Sequence, residues 1–254
     1  MGIRDFVDQN YLHFNAGVVR NAAKSLTRFL QGGGKIFLTL AGAMSTAQLG
    51  RSLVPMIEAG HIAGISCTGA NMEEDLFLLT AKSSYVKIED WRNLSAEEDK
   101  QLLERKLNRV TDICIPEEEA IREIEKHITP LWAEANNSNR QELPHQYFYD
   151  ILLSGKMKFD GEIENSWLMS AAKNNIPLFV PGWEDSTIGN IFASHCMESK
   201  LNPNIVKSGI HYMMELAELY QNKTAQFAFF QIGGGIAGDF PICVVPMLNQ
   251  DLGR

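Results

Sequence analysis

Carboxylates and glycines recur at one kind of place in this chain: after a short apolar run and before a segment of helical character. Residues 36–40 lead into Ala41-Gly42-Ala43-Met44-Ser45-Thr46, and residues 62–67 into Thr68-Gly69-Ala70-Asn71-Met72-Glu73-Glu74-Asp75. Residues 176–180 lead into Pro181-Gly182-Trp183-Glu184-Asp185-Ser186-Thr187, and residues 225–232 into Gly233-Gly234-Gly235 and then Asp239. Glycine ahead of a helix lets backbone N–H groups come close to a phosphate. Carboxylates suit a cation. In an open parallel sheet, ligands bind outside the carboxyl ends of the strands, so these turns would share one crevice.

Each signal has a plainer alternative. Acids at a helix start complement the helix dipole, and a triple glycine makes a tight turn. The Gly233–Gly235 segment is neither a GxGxxG fingerprint nor a P-loop. The acids taken together say more. Glu73, Glu74, Asp75, Glu184, Asp185 and Asp239 converging on one crevice would repel each other unless a cation were bound. No histidine sits at ligand spacing beside them and His195-Cys196 is isolated, so the expectation is a cationic organic ligand and no metal. No GxSxG motif or Cys/His pair offers a nucleophile.

The elements that would position these turns alternate. Residues 3–31 carry an apolar stripe (Val18, Val19, Ala22, Ala23, Leu26, Phe29, Leu30) and read as one long opening helix, stopped by Gly32-Gly33-Gly34. A strand over 35–40 follows. Ser45 and Gln48 have capping-box spacing, which predicts a helix from there through Ile57 to Gly60. A second strand covers 62–67, with a helix after it. Residues 89–112 are highly charged and read as a solvated helical excursion. A helix opens after Pro116 with acids in its first turn, and residues 134–146 read as a surface loop. Further helices are expected over 166–174, 187–197 and from Pro203, the last burying Val206, Ile210, Met213, Met214 and Ala217. Residues 176–180 make a third strand. Residues 225–232 are so apolar that a parallel strand buried on both faces is expected. A buried helix starts near Pro241. This alternation specifies an α/β protein with a doubly wound, mostly parallel, Rossmann-like sheet in a single domain over 1–254.

The chain has 254 residues, is 45% hydrophobic and carries a net charge of −8, with no basic cluster. That argues against nucleic acid as partner. Residues 1–14 are not a signal peptide, Phe6 occupies the position where myristoylation requires Ser or Thr, and no apolar run has the length of a membrane span. Cys67, Cys114, Cys196 and Cys243 form no CxxC pair, as expected of a reduced, cytoplasmic protein.

Four stretches, TGANMEEDL, LNRVTDICIP, IPLFVPGWEDSTIGN and FFQIGGG, resemble the deoxyhypusine synthase family, including its bacterial synthase-like and homospermidine synthase members, and the resemblance extends over essentially the whole chain. It implies an NAD-dependent transferase. In that family NAD oxidises spermidine, an enzyme lysine captures the aminobutyl unit as an imine, and the unit passes to an acceptor amine before the imine is reduced. The acceptor is a lysine of translation factor 5A or a second polyamine. The resemblance places Thr68, Gly69, Ala70, Glu74, Asp75, Asp185, Gly233 and Gly235 at NAD-contacting positions, with Thr46 a candidate in a divergent loop. Glu74 would also lie beside the polyamine. It implies a homotetramer with sites between subunits.

Departures from the family pattern fall in the substrate site. A polyamine-binding aspartate is Asn190 here, the site histidine is Asp239, and a further asparagine is Cys243. The resemblance thus assigns Glu74 and Asp239 as catalytic candidates and Glu74, Asn190, Asp239 and Cys243 as substrate-contacting ones. The family's imine-forming lysine lies in a W-G-K motif well beyond the glycine turn, and no lysine follows Lys223 here. The expectation is a chain lacking the family's C-terminal segment. It is then a transferase with altered substrate choice or a catalytically silent member acting as a binding or regulatory subunit. True deoxyhypusine synthesis is a third, narrower option.

Overall fold

A computed structural model of the protein describes residues 2–221 and 226–254. In chain order it consists of α1 (Ile3–Asn10), α2 (Phe14–Gln31), β1 (Lys35–Leu40), α3 (Gly50–Glu58), β2 (Ile62–Cys67), α4 (Gly69–Ala81), β3 (Val86–Lys87), α5 (Ala96–Glu104) and β4 (Leu107–Val110). There follow β5 (Ile113–Pro116), α6 (Glu123–Ser138), α7 (Pro144–Leu153), α8 (Trp167–Lys173), β6 (Leu178–Phe179), α9 (Thr187–Met197), α10 (Gly209–Gln221), β7 (Phe227–Ile232) and α11 (Gly235–Pro246).

The main sheet is parallel throughout, in the order β6-β2-β1-β7. Its centre is β1, where Ile36, Phe37, Leu38 and Leu40 are inaccessible to solvent. β2 joins β1 on one side, and β7 enters on the other with Lys35–Leu40 against Phe227–Ile232. The chain direction across the sheet therefore reverses between β1 and β7. That is the topological switch point at which such sheets bind ligands. β1, β2 and α9 fall where the sequence predicts them. β6 is shorter than the 176–180 run.

Several expected elements differ. The opening helix is broken at residues 11–13. Tyr11 closes α1 by donating its N–H to Val7 O, and Gly17 in α2 lets the Leu12 carbonyl approach to where a Cβ would stand 2.9 Å away. Only part of the stripe on α2 reaches the core: Leu26 and Leu30 pack against it, while Val18 and Val19 are exposed. The helix after β1 begins at Gly50 rather than Ser45, because Gln48 is left-handed (φ 59°) and Gly50 is pressed against the Asn165 carbonyl. Within 89–112 only α5 is a regular helix. β4 and β5 form a hairpin and β3 adds to it, giving a small antiparallel sheet ordered β3-β5-β4 over Leu102, Leu107 and Cys114. The Arg109 guanidinium donates to both oxygens of Asp99 (2.6 and 2.8 Å), tying α5 to β4.

The 134–146 loop shrinks to 139–143 because α6 and α7 extend into it. Pro203 opens only a single 3-10 turn; α10 starts at Gly209 and buries Tyr212, Leu216 and Ala217 while Ile210 and Met214 face outward. β7 is an edge strand, with Phe229 43% and Phe230 44% exposed on opposite faces, so it is not buried on both sides. Ala225 and Lys223 lie outside the described residues. α11 begins at Gly235, ahead of the expected Pro241, and Ile242 and Val245 are exposed on it. No helix among the described residues is long and apolar enough to cross a membrane.

Candidate active site at the strand ends

The four turns meet at the carboxyl edge of the main sheet. At the switch point, a Cβ on Gly233 (φ 79°) would lie 2.9 Å from the Ala41 Cβ, so glycine is needed there both for backbone conformation and for space. Between β1 and β2, the Thr68 hydroxyl donates to Gly42 O at 2.5 Å. The turn after β6 packs on the start of α4, where a Cβ on Gly69 would meet Ser186 Cβ at 2.8 Å and Trp183 O at 2.9 Å. The same turn reaches α11: a Cβ on Gly182 would sit 3.3 Å from Ile236 Cδ1. The turns after β2 and β6 are thus locked together by close packing.

α4 starts at Gly69, capped by Thr68, whose hydroxyl accepts from Asn71 N at 3.1 Å. The acid run therefore lies in the second turn of α4, outside reach of the N-terminal dipole, and all three side chains are buried. They do not converge. Glu73 accepts the backbone N–H groups of Thr187 and Ile188, at 2.9 Å each, one on each oxygen. Asp75 Oδ2 accepts from Ser166 Oγ at 2.5 Å and from Leu168 N at 3.1 Å, at the start of α8. Glu74 Oε2 accepts both the backbone N–H (3.2 Å) and the hydroxyl (2.9 Å) of Thr46. The expected convergence of six carboxylates is therefore corrected. Among the described residues no group of three His, Cys, Asp or Glu is arranged to hold a metal ion.

Burial raises the carboxyls of this run. Glu73 is pushed up to about 7 by desolvation, against the pull of its two N–H donors, and Asp75 up to about 6 for the same reason. Glu74 is raised by burial, with Thr46 pulling the other way. Tyr85, just before β3, has a buried hydroxyl beside Thr46 that does not reach hydrogen-bond geometry; desolvation and then the Glu74 charge raise its phenol.

Asn71 is the hub that sequence reasoning misses. It is fully buried. Its amide donates to the carbonyls of Leu40 (3.1 Å), Ala41 (2.9 Å) and Gly42 (2.9 Å), and its oxygen accepts from Met44 N (3.0 Å) and Ser45 Oγ (3.2 Å). Ser45 in turn accepts from Trp167 Nε1 at 3.0 Å, so it serves α8 and Asn71 rather than capping α3. The only sequence signal for Asn71 is its spacing of three from a capping threonine.

The expected site residues divide. Thr68, Gly69, Ala70, Glu74, Gly233 and Gly235 lie on the turns that meet. Asp75 is turned into α8 beside a cavity of about 20 Å³, room for about one water, and does not face the crevice. Asp185 is exposed on the turn before α9. Asn190 is exposed in the first turns of α9, and its amide donates to Ser186 O (2.6 Å) and Glu184 O (3.3 Å). Asp239 and Cys243 lie four residues apart on an exposed face of α11. A cavity of about 330 Å³ opens beside Thr46, walled by Lys87, Val110, Asp112 and Ile113 of the small sheet.

Part of this edge is open. Nothing lies within 4 Å of where a Cβ would stand on Gly42, Gly234 or Gly235, and α11 begins without a side-chain cap. Its first N–H groups therefore have no side-chain partner among the described residues.

Comparison with known proteins bears on this geometry. The family model described as deoxyhypusine synthase matches residues 8–252. The probable deoxyhypusine synthase 2 of Methanosarcina acetivorans is 26% identical over 222 residues, 86% of this chain and 60% of the relative. The deoxyhypusine synthase-like protein of Chlorobaculum parvum is 25% identical over 207 residues, 81% of this chain and 55% of its own. A solved structure, provisionally assigned as a deoxyhypusine synthase, from Entamoeba histolytica superposes with a TM-score of 0.50 at 17% identity, covering 80% of this chain and 60% of that one. That likeness supports the α/β fold with a mostly parallel sheet. The chain spans between about half and two-thirds of the length of these relatives.

Proposed function

Because the chain belongs to the deoxyhypusine synthase family, whose members are NAD-dependent aminobutyltransferases, we propose that it takes part in NAD-dependent transfer of an aminoalkyl group from a polyamine to an amine acceptor, through a substrate site altered from the family's. One observation carries this reading. Among the described residues Glu74 holds Thr46, on the loop after β1 that also carries Gly42, with one carboxylate oxygen and leaves the other, Oε1, without a bond. A single oriented carboxylate oxygen at the strand ends suits an ammonium group presented to a dinucleotide.

Gly42, Thr68, Gly69, Ala70, Gly233 and Gly235 would hold NAD, with Asp185 at the rim. When bound, NAD supplies the hydride acceptor for oxidation of a carbon bearing an amine. The chain's own contribution is to bind and orient. Glu74 fixes the ammonium, Thr46 fixes Glu74, and Asn71 fixes the loop that carries Thr46. Asp239 adds a carboxylate at the open face where the family has a histidine, which shifts selectivity toward a cation of different shape. Burial raises the Glu74 carboxyl, with the Thr46 bonds pulling the other way, and a cation bound beside it would favour its ionised form.

The test is NADH formation by the protein with NAD+ and a panel of polyamines and guanidino compounds, alongside direct binding of NAD+ and spermidine. Turnover or coupled binding supports the reading. Absence of both overturns it. A homotetramer is the proposed assembly, read by light scattering.

A second reading, a silent subunit, is favoured by two features. Asn190 spends its amide on its own turn, and among the described residues no lysine is buried, whereas an imine-forming amine needs desolvation. Stable association with an active paralogue, with ligand binding and no turnover, would select it.

A further inference from the structure

We propose that Glu73 is a positioning residue: its carboxylate anchors the first turn of α9, sets the turn bearing Asp185 and Asn190, and does not bind the cationic substrate. The assignment rests on the crevice being the ligand site, but its geometry stands alone. The first N–H groups of a helix have no intrahelical partner. In α9 the first three are all taken. Thr187 N and Ile188 N donate to the two oxygens of Glu73, and Gly189 N donates to Ser186 Oγ at 3.0 Å. The cap comes from two places in the chain: Ser186 from the local turn, and Glu73 from α4, more than a hundred residues away.

Two consequences follow from that arrangement. First, the N-terminus of α9 is closed to an anion, because a carboxylate already occupies it. The pyrophosphate of a dinucleotide is thereby directed to the uncapped start of α11. Second, the position of α9 relative to α4 is fixed by a fork of two bonds and by glycine packing. Gly69 lies against Ser186 and Trp183, and a Cβ on Gly189 would meet Trp183 O at 2.7 Å. Asp185 immediately precedes Ser186, and Asn190 donates to Ser186 O, so both exposed residues move with this fork. Asp75 does the same for α8 through Leu168 N, which supplies an internal comparison.

The experiment uses Glu73→Gln and Glu73→Asp in the whole protein. Glutamine keeps the volume and one acceptor oxygen but turns an N–H₂ toward one of the two backbone donors. Aspartate keeps the charge and falls short by one methylene. Amide hydrogen exchange read at Thr187 and Ile188 should accelerate about 10-fold or more in both variants, with Leu168 unchanged. NAD+ affinity should fall about 5- to 50-fold through the displaced Asp185 turn. Spermidine affinity in the absence of NAD+ should stay within about 2-fold of wild type. The opposite pattern, spermidine affinity lost with Thr187 and Ile188 exchange unchanged, would make Glu73 a substrate ligand and overturn the proposal. Added spermidine that alters exchange at Thr187 and Ile188 in the wild-type protein would overturn it equally. If wild-type protein binds neither NAD+ nor a polyamine, the functional reading fails, while the exchange rates at Thr187 and Ile188 still decide the anchor.

Discussion

Replacing Asn71 by alanine tests whether the loop after β1 is held from α4. The side chain makes bonds to five groups of that loop and strand end, but most of them have a second partner. Leu40 O retains the N–H of Thr68 at 3.1 Å, Gly42 O retains the Thr68 hydroxyl, and Ser45 Oγ retains Trp167 Nε1. The Ala41 carbonyl and the Met44 N–H have Asn71 as their side-chain partner. A buried polar group left unpaired costs about 1–3 kcal/mol. Ala41 is buried, and Met44 is half-buried so that water recovers part of its loss. The expected destabilisation is therefore about 2–4 kcal/mol, most of it from Ala41 and from the void left by the amide. For a chain of this size that is a fall in melting temperature of about 5–15 °C. Equilibrium urea unfolding of Asn71→Ala against wild type measures it, with Asp239→Ala as an exposed-site control expected within about 0.5 kcal/mol of wild type. NAD+ binding should weaken with the mutation, since Gly42 sits on the released loop. A loss below about 0.5 kcal/mol with an unchanged denaturant slope would refute the hub.

Three further outcomes are expected. Burial raises Glu73 and Asp75 in the folded protein, so the folded state holds protons more tightly than the unfolded one between about pH 4 and 7. Stability is then greatest at the acid end of that window and declines as pH rises through it, each group contributing at most about 3 kcal/mol; a urea midpoint higher at pH 7.5 than at about pH 5.5 would contradict this. Gly233→Ala places a Cβ against Ala41 at a positive φ and should cost about 1–3 kcal/mol, whereas Gly235→Ala, with open space at a similar φ, should cost less; equal losses in thermal unfolding would rule out close packing at the switch point. Glu74→Gln should weaken spermidine binding about 10-fold or more by calorimetry while leaving the fold intact, because glutamine can still accept from Thr46; unchanged affinity would remove Glu74 from the site.

What was legible in the sequence was what local composition decides. β1 and β2 are uninterrupted apolar runs bounded by turn residues, and α9 follows a capping serine, so their limits could be read directly. The glycine turns were legible as places where backbone must bend. The small antiparallel sheet was not, because its strands are short and set in the highly charged 89–112 segment, and its apolar residues Leu107 and Cys114 meet Leu102 of α5 only once the hairpin has formed. β7 shows the converse failure. Phe229 and Phe230 make it look like an interior strand, yet burial depends on neighbours, and β7 lies at the edge. Asn71 was invisible for a related reason. Its partners at residues 40–45 come beside it only once β1 and β2 pair in register. The acids were found as residues but not as geometry.

That geometry has a general cause. Successive residues of an α-helix are about 100° apart, so three in a row fan over about 200° and cannot aim at one ligand. Side chains that share a target on a helix stand three or four positions apart. Glu73, Glu74 and Asp75 accordingly reach three different neighbours: α9, the loop carrying Thr46, and α8. Each neighbour offers backbone N–H groups at the start of a helix or turn, where a carboxylate has partners that water would otherwise supply. A buried run of acids in one helix is therefore a device for fixing several elements around it, and it can contribute at most one member to a cation site. Glu74 and Asp75 each take both of their bonds on one oxygen, but Asp75 is turned into α8, so the member left over is Glu74, with Thr46 on Oε2. The same reasoning makes Glu73 and Asp75 poor candidates for substrate contact: withdrawing either carboxylate would uncap a helix that the crevice is built on.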